Sequence, residues 1–364
     1  MKKFVTLFNS ENVHLIKDVG LIPYGMRRYN FYDSYVATYD NGSYSYLQNA
    51  VNGLKLWFVE KRTGKFKIDA LFFLNNNAKD IELLNLYHAT FFSAVAIFVY
   101  KFKNPMGKVY LKLDAGYLKE DIVWWKRVFK EYAIKKADGV STELTENSVE
   151  MSINWGRKID HVPNPYLPES LKNFRDFKDR ENLFISVGRL GAYLKATDIL
   201  MDAFRIASKS IPDWKLILVG PIEKQECDFE KNIYEWFKLY PDMKNRVIFV
   251  GSVENREELV EYYRSAKVFV FPSRSESFGI ALLEAALSGD YLICSDIPSS
   301  RSITHNYQYA SCFIVDDVQG LAEKMIECCM DKELEQKAYK GYCDIRDEYQ
   351  LRMVCEIIYK MMEK

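Results

Sequence analysis

Between Ser273 and Gly289 the chain reads SRSESFGIALLEAALSG, with two glutamates, Glu276 and Glu284, eight positions apart. A helix starting near Ser277 to Gly279 puts Glu284 about two turns in and leaves Glu276 in the loop before the first turn. The backbone amides of Ser277, Phe278, Gly279 and Ile280 then lie at the helix start, where they lack internal partners and the helix dipole adds partial positive charge. Such an end can take an anion or sugar hydroxyls. A carboxylate at the same place also serves as a plain helix cap, so the pair by itself leaves both readings open.

A second constellation lies upstream in VGRLGAYLKATDIL, residues 187–200. Arg189 stands just past an apolar run and Lys195 opens the next helical pattern. Two cations meeting on one sheet edge would offset the charge of a diphosphate; apart, they are solvated surface charges.

The elements that must position these residues are legible in the apolar pattern. LFISVG (183–188), KLILVG (215–220), VIFVG (247–251), VFVFPS (268–273), YLICS (291–295) and CFIV (312–315) alternate with amphipathic segments. That alternation predicts βα units and a parallel sheet covered on both faces. Ligands of such sheets bind beyond the carboxyl ends of the strands. Gly188, Gly220 and Gly251 fall at those ends, where a missing side chain admits either a ligand or the next turn of chain.

The first half is less regular. FVTLF (4–8), YVATYD (35–40), IDALFFL (68–74), VYLKLD (109–114) and GVST (139–142) read as strands, with helices near 45–60, 80–100 and 119–137. At 364 residues two domains are expected. The boundaries read as 1–168 for an N-terminal Rossmann-like domain, 169–345 for a C-terminal one and 346–364 for a helix packing back on the first. The Pro- and charge-rich segment 164–182 reads as the linker.

Lys plus Arg and Asp plus Glu are each 50, so no overall field attracts nucleic acid, although residues 1–165 carry a basic surplus of six. Seven cysteines without a CxxC pair exclude a disulfide framework and a zinc ribbon. Four histidines show no metal-ligand spacing, and His88 reads as a core histidine. The start, MKKFVTLFNSENVHL, turns polar too soon for a secretory signal, which points to a cytoplasmic protein. The most apolar stretch, Ala89 to Tyr100, is 12 residues long, too short to cross a bilayer. It reads as a core helix, or as one resting on a membrane with Lys101, Phe102, Lys103, Lys108, Tyr110 and Lys112 against anionic headgroups.

Taken together, ISVGRL, KATDIL, WKLILVG, VIFVGSV and LVEYYRSAKVFVFPSRSESFGIALLEA resemble the donor-binding domain of retaining glycosyltransferases of family 4, over roughly residues 183–300. The resemblance implies an α/β protein of GT-B fold, two Rossmann-like domains facing across a cleft. It implies that Glu276 contacts the hydroxyls of the transferred sugar, Glu284 the nucleotide ribose, Arg189 and Lys195 the diphosphate, and Ser252 and Val253 the base. The Phe278 to Ile280 amides would lie beside sugar and phosphate. Ala196 stands where the family usually has glycine. HVPNPY (161–166) is similar to the family's end of the first domain. Of the glycine-rich loop after the first strand only Gly20 and Gly25 are offered, with Gly20 as its replacement, and Asp114 occupies the place of a residue facing the sugar. The implied catalytic set is Asp114, Glu276, Arg189 and Lys195, with no metal and no cofactor, since no Asp-x-Asp motif occurs.

The activity so implied is a retaining, metal-independent hexosyltransferase. It would move a sugar from a nucleoside-diphosphate sugar, UDP-linked by preference and GDP-linked as an option, to an acceptor hydroxyl. The setting would be bacterial surface polysaccharide or glycolipid synthesis, with a saccharide, glycolipid or protein acceptor, at the cytoplasmic face of the inner membrane. Two other readings are a non-catalytic GT-B partner subunit that binds a polypeptide or glycan, and a nucleotide-sugar epimerase.

Overall fold

In the first half, strand-forming runs pair in parallel and most are returned by a helix packed against the sheet. A computed structural model of the chain describes residues 2–113, 124–167, 174–224 and 228–363. The chain forms two units, residues 1–169 with 348–364 and residues 170–347.

The first unit runs β1 (Lys3–Leu7), α1 (Asp18–Arg28), β2 (Asp33–Thr38), β3 (Lys55–Phe58), α2 (Phe66–Asn77), β4 (Leu83–Tyr87) and α3 (Phe91–Lys103). It continues with β5 (Lys108–Leu113), α4 (Trp124–Lys136), β6 (Gly139–Thr142), α5 (Thr145–Trp155) and β7 (Asp160–His161). The strands form one parallel sheet in the order β3-β2-β1-β4-β5-β6-β7. Alternate residues of each strand face opposite cores. Val5, Leu84 and Leu111 pack with Phe73, Leu74, Ile97 and Ile134 of α2, α3 and α4. Phe4, Leu83 and Tyr110 pack on the other face with Ile22 and Met26 of α1.

Three expectations fail here. IDALFFL lies inside α2, with Asp69, Ala70, Phe73 and Leu74 buried at helical spacing; a short apolar run does not by itself separate strand from helix. Residues 45–60 hold one 3₁₀ turn (Ser45–Leu47) and β3 instead of a helix. Residues 80–100 contain β4 before α3 begins, because LLNLY is buried in the sheet on both faces.

The second unit runs β8 (Leu183–Val187), α6 (Thr197–Ala207), β9 (Lys215–Val219), α7 (Phe229–Leu239), β10 (Val247–Gly251) and α8 (Arg256–Ser265). There follow β11 (Val268–Phe271), α9 (Ile280–Ser288), β12 (Tyr291–Ser295), α10 (Pro298–Ile303), β13 (Ala310–Phe313), α11 (Val318–Met330) and α12 (Leu334–Glu348). Its parallel sheet has the order β10-β9-β8-β11-β12-β13. The strand order reverses between β8 and β11, and that switch point leaves a crevice at the carboxyl ends. The last strand lies two residues earlier than the apolar run CFIV suggests.

The segment expected as a linker ends in an anchor. Arg180 is buried and donates to Asp290 Oδ1 at 2.7 Å and to the carbonyls of Ala266, Ser288 and Arg175. The chain then re-enters the first unit: α13 (Leu351–Glu363) follows a break at Tyr349 and Gln350, and the Tyr349 carbonyl accepts from the Tyr166 amide. Leu351 and Cys355 of α13 lie so close to Gly25 of α1 that a side chain there would meet them within 3 Å.

Candidate functional site

At the carboxyl edge of the second sheet three glycines continue the strand ladder. The Gly188 amide donates to the Val219 carbonyl at 3.0 Å, and the Gly220 amide to the Gly251 carbonyl at 2.8 Å. Gly220 has φ +136°, and a Cβ there would lie 1.9 Å from the Gly188 carbonyl oxygen. Only glycine fits. Gly251 has φ +84° and faces open space, with exposed Ser252 and half-buried Val253 following it.

After Gly188 the loop turns back through Arg189 to a 3₁₀ turn, Tyr193–Lys195. The stem of Lys195 lies against Gly188, where a Cβ would be 3.6 Å from its Cδ. Its ammonium pairs with Glu276 Oε1, which also accepts from Ser273 Oγ at 3.0 Å. Ser273 is fixed in turn, its carbonyl accepting from Ser295 Oγ on β12 at 2.6 Å. Arg189 is 60% exposed, and its guanidinium lies 3.5 Å from the buried carboxylate of Glu223.

Arg274, which the sequence reading passed over, joins these two loops. Its amide donates to the Leu194 carbonyl at 2.8 Å, its guanidinium donates to the Tyr193 carbonyl and lies 4.4 Å from the Tyr193 ring, and its Nε donates to Asp316 at 2.6 Å. Both segments are thereby set so that Lys195 and Glu276 meet.

Ala196, directly before α6, has φ +48°, in the left-handed region that favours the glycine usual at this place. A left-handed residue with a Cβ costs about 1–2 kcal/mol, which the surrounding packing holds in place.

Glu284 sits on α9. Its carboxylate receives Arg256 Nη2, the first residue of α8, at 2.6 Å and Tyr263 Oη at 3.2 Å. Tyr263 is fully buried; burial first, and the Glu284 charge next, push its phenol well above the usual range, which keeps it a hydrogen-bond donor. Neither Arg256 nor Tyr263 was found from the sequence, since only the pairing of α8 against α9 reveals them. Helix α9 starts after Gly279, whose φ of +90° sets the entry, and the Gly279 carbonyl serves Leu282 and Leu283. The Ile280 amide thus precedes the first intrahelical bond. Ser277 and Ile280 are exposed, and Phe278 is buried beneath them.

In the first unit, Gly20 lies within α1, not on a loop after β1. Its missing side chain accommodates the backbone of Leu15, which a Cβ would meet at 2.3 Å. A glycine-rich loop is therefore not what that residue supplies. His88 follows β4 in a left-handed conformation with φ +61°. Asp114 lies outside the described residues.

Residues 169–341 match the family of glycosyl transferases group 1. The matched residues make up most of the second unit. The chain is 28% identical to the lipopolysaccharide core biosynthesis mannosyltransferase LpsB of Rhizobium meliloti along 131 residues, 35% of this chain and 36% of that protein. It is 26% identical to the phosphatidyl-myo-inositol mannosyltransferase of Mycolicibacterium smegmatis along 149 residues, 41% and 36% of the two chains. The chain thus spans about a third of the length of the curated relatives it matches. Among solved structures the likeness is one of fold. Anabaena Alr3699/HepE, solved in complex with UDP and glucose, matches with a TM-score of 0.76 at 16% identity, covering 100% of both chains. The fold is GT-B.

Proposed function

We propose that this chain is a retaining glycosyltransferase that moves a sugar from a nucleoside-diphosphate sugar to an acceptor hydroxyl in surface polysaccharide or glycolipid synthesis. The observation that carries the reading is the convergence of Lys195 with Glu276, and of Arg256 with Glu284, on one edge of the second unit. Its relatives are named mannosyltransferases of lipopolysaccharide and phosphatidylinositol, and HepE was solved with UDP, so the donor class is a UDP- or GDP-sugar, UDP first.

In the transfer the bond between the anomeric carbon and the β-phosphate oxygen breaks while a bond to the acceptor oxygen forms, and the acceptor's hydroxyl proton passes to the departing phosphate oxygen. Negative charge grows on the departing diphosphate. Lys195 and Arg189 are the cations that meet it, together with the first amides of α9, without a metal. For Lys195 to turn to phosphate, Glu276 must take hydroxyls of the sugar in exchange for the ammonium. That swap gives the ammonium a new charged partner and keeps the carboxylate hydrogen-bonded, so neither group is stranded. Glu284, oriented by Tyr263 and Arg256, accepts the ribose hydroxyls, and the open space at Gly251 with Ser252 and Val253 admits the base.

The test is a thermal-shift series with UDP-, GDP- and ADP-sugars, followed by measurement of nucleotide released in the presence of candidate acceptors. Stabilisation by one nucleotide class is expected, since a ligand of the native state raises the melting temperature. Silence of a folded protein across all three classes overturns the reading. Conversion of the donor to another sugar with no acceptor present would assign an epimerase instead.

A further inference from the structure

The outer face of α3 is apolar where a helix in water would be polar. Phe91, Phe98 and Phe102 are 57%, 58% and 72% exposed, and Met106 in the next turn is 90% exposed. With half-buried Val95 they form one stripe at spacings of three and four, while Ala94, Ile97 and Tyr100 fill the inner face. The expected lipid-facing set changes accordingly. Lys112 is buried and pairs with Asp18 at 3.3 Å, and Tyr110 is buried in the core, so neither reaches a surface.

This face is built. Phe98 and Phe102 stack with ring centroids 6.3 Å apart, and the Lys103 ammonium lies 6.0 Å from the Phe102 ring. Met106 is displayed by a fixed turn: Asn104 Nδ2 donates to the Ala78 and Ile81 carbonyls at 3.0 and 2.8 Å, and its Oδ1 accepts from the Gly107 amide at 3.1 Å. Exposed Lys79 follows Ala78 at that turn, and exposed Arg127 and Val128 lie on neighbouring α4, whose Phe129 meets Phe91 edge-on at 4.6 Å. Along the sequence, residues 65–138 carry 13 Lys and Arg against 8 Asp and Glu.

We propose that the α3 face seats the first unit on an anionic bilayer surface, with Phe98, Phe102 and Met106 among the headgroups and Lys79, Lys103 and Arg127 against the phosphates. Exposed aromatic and thioether side chains in a basic surround suit an interfacial helix. A second copy meeting the same patch would set like charges against each other, whereas lipid phosphates supply the opposite sign. At 13 residues α3 lies on the membrane without crossing it, and among the described residues no helix is long and apolar enough to cross. The proposal is independent of the transfer reading.

The test is co-sedimentation of the full chain with phosphatidylcholine vesicles, pure or containing about 30% phosphatidylglycerol, at low and high salt. Binding to the anionic vesicles is expected, with about a tenfold or greater loss of partitioning in Phe98→Ser/Phe102→Ser. Met106→Ser, a change in a surface turn that cannot unfold the unit, is expected to weaken binding as well, and Lys103→Glu mainly at low salt. Melting temperature and nucleotide-sugar shift should stay at wild-type values in all variants. Absence of binding to anionic vesicles at low salt, or wild-type binding by both the double variant and Met106→Ser, overturns the proposal. A dimer in solution that the double variant dissociates would give the face to a second copy and overturn it too.

Discussion

Lys195 and Glu276 are 81 positions apart in the chain, yet the ammonium of one rests on the carboxylate of the other, and Ser273 donates to the same oxygen. Each holds the other's charge in the absence of a sugar phosphate. Replacing Lys195 by Met removes the cation aimed at the leaving phosphate, and turnover should fall about 10²–10³-fold. Nucleotide release measured beside the melting temperature checks this; a large drop in stability with unchanged turnover per folded molecule would contradict it.

Glu284→Gln should weaken donor binding about tenfold or more, because one hydrogen bond from a charged group is worth roughly 1.5–3 kcal/mol. The Gln carbonyl can still accept from Tyr263, so the fold should stand, and titration calorimetry against circular dichroism separates the two effects. Glu284→Ala should match it in binding and lose more stability, since it leaves the buried Tyr263 hydroxyl without this acceptor.

Arg274 acts as a positioning residue through its side chain, whose guanidinium joins the Tyr193 carbonyl to Asp316. Arg274→Ala should lower kcat more than it raises KM, since it loosens Lys195 against Glu276 without removing either. Arg274→Lys, which can still reach the Tyr193 carbonyl or Asp316 but cannot bridge both, should restore part of kcat. Equal loss in kcat and in melting transition for both variants would reduce Arg274 to a scaffold role.

Acid should loosen the first unit through Asp69. Burial alone would raise its pKa, but donation from Tyr39, Thr63 and the amides of Arg62, Thr63 and Gly64 outweighs that and holds the carboxyl down to about 2. A group lowered on folding contributes its stability fully above its unfolded value, near 3.8, and loses it as pH falls through the folded one. Between pH 4 and 2 the wild type should therefore lose stability more steeply than Asp69→Asn, as read from urea midpoints at each pH.

The left-handed Ala196 makes a contrast of two neighbouring substitutions. Ala196→Gly should stay within about 1 kcal/mol of wild type, relief of strain offsetting the lost methyl and the freer unfolded chain. Ala196→Val should cost roughly 2 kcal/mol or more, since a β-branched residue fits that conformation badly. Denaturant midpoints decide between this order and its reverse.

Much of the second unit was legible because strands of a parallel sheet, covered on both faces, read as unbroken apolar runs, and each of the first three closes on a glycine. All six strands of that unit overlap their expected runs. The first unit resisted for the same physical reason turned round: IDALFFL is as apolar as a strand, and only the burial of Asp69, Ala70, Phe73 and Leu74 on one side shows it to be helical. At the site, the glutamates and cations stood out by type and spacing. Arg256, Tyr263 and Arg274 did not, because what they do depends on α8 lying beside α9 and on two loops meeting across the switch point. Gly20 failed as a loop glycine because a close backbone neighbour, invisible in one dimension, accounts for it.

The return of α13 to the first unit sets an order of events during synthesis. Leu351 and Cys355, which press on Gly25, are translated only after every residue of the second unit. The nascent first unit therefore waits with one helix-sized gap in its wall while some 180 further residues are made and begin folding on their own. Until that gap is closed, the apolar side chains of α1 that α13 covers stay open to water.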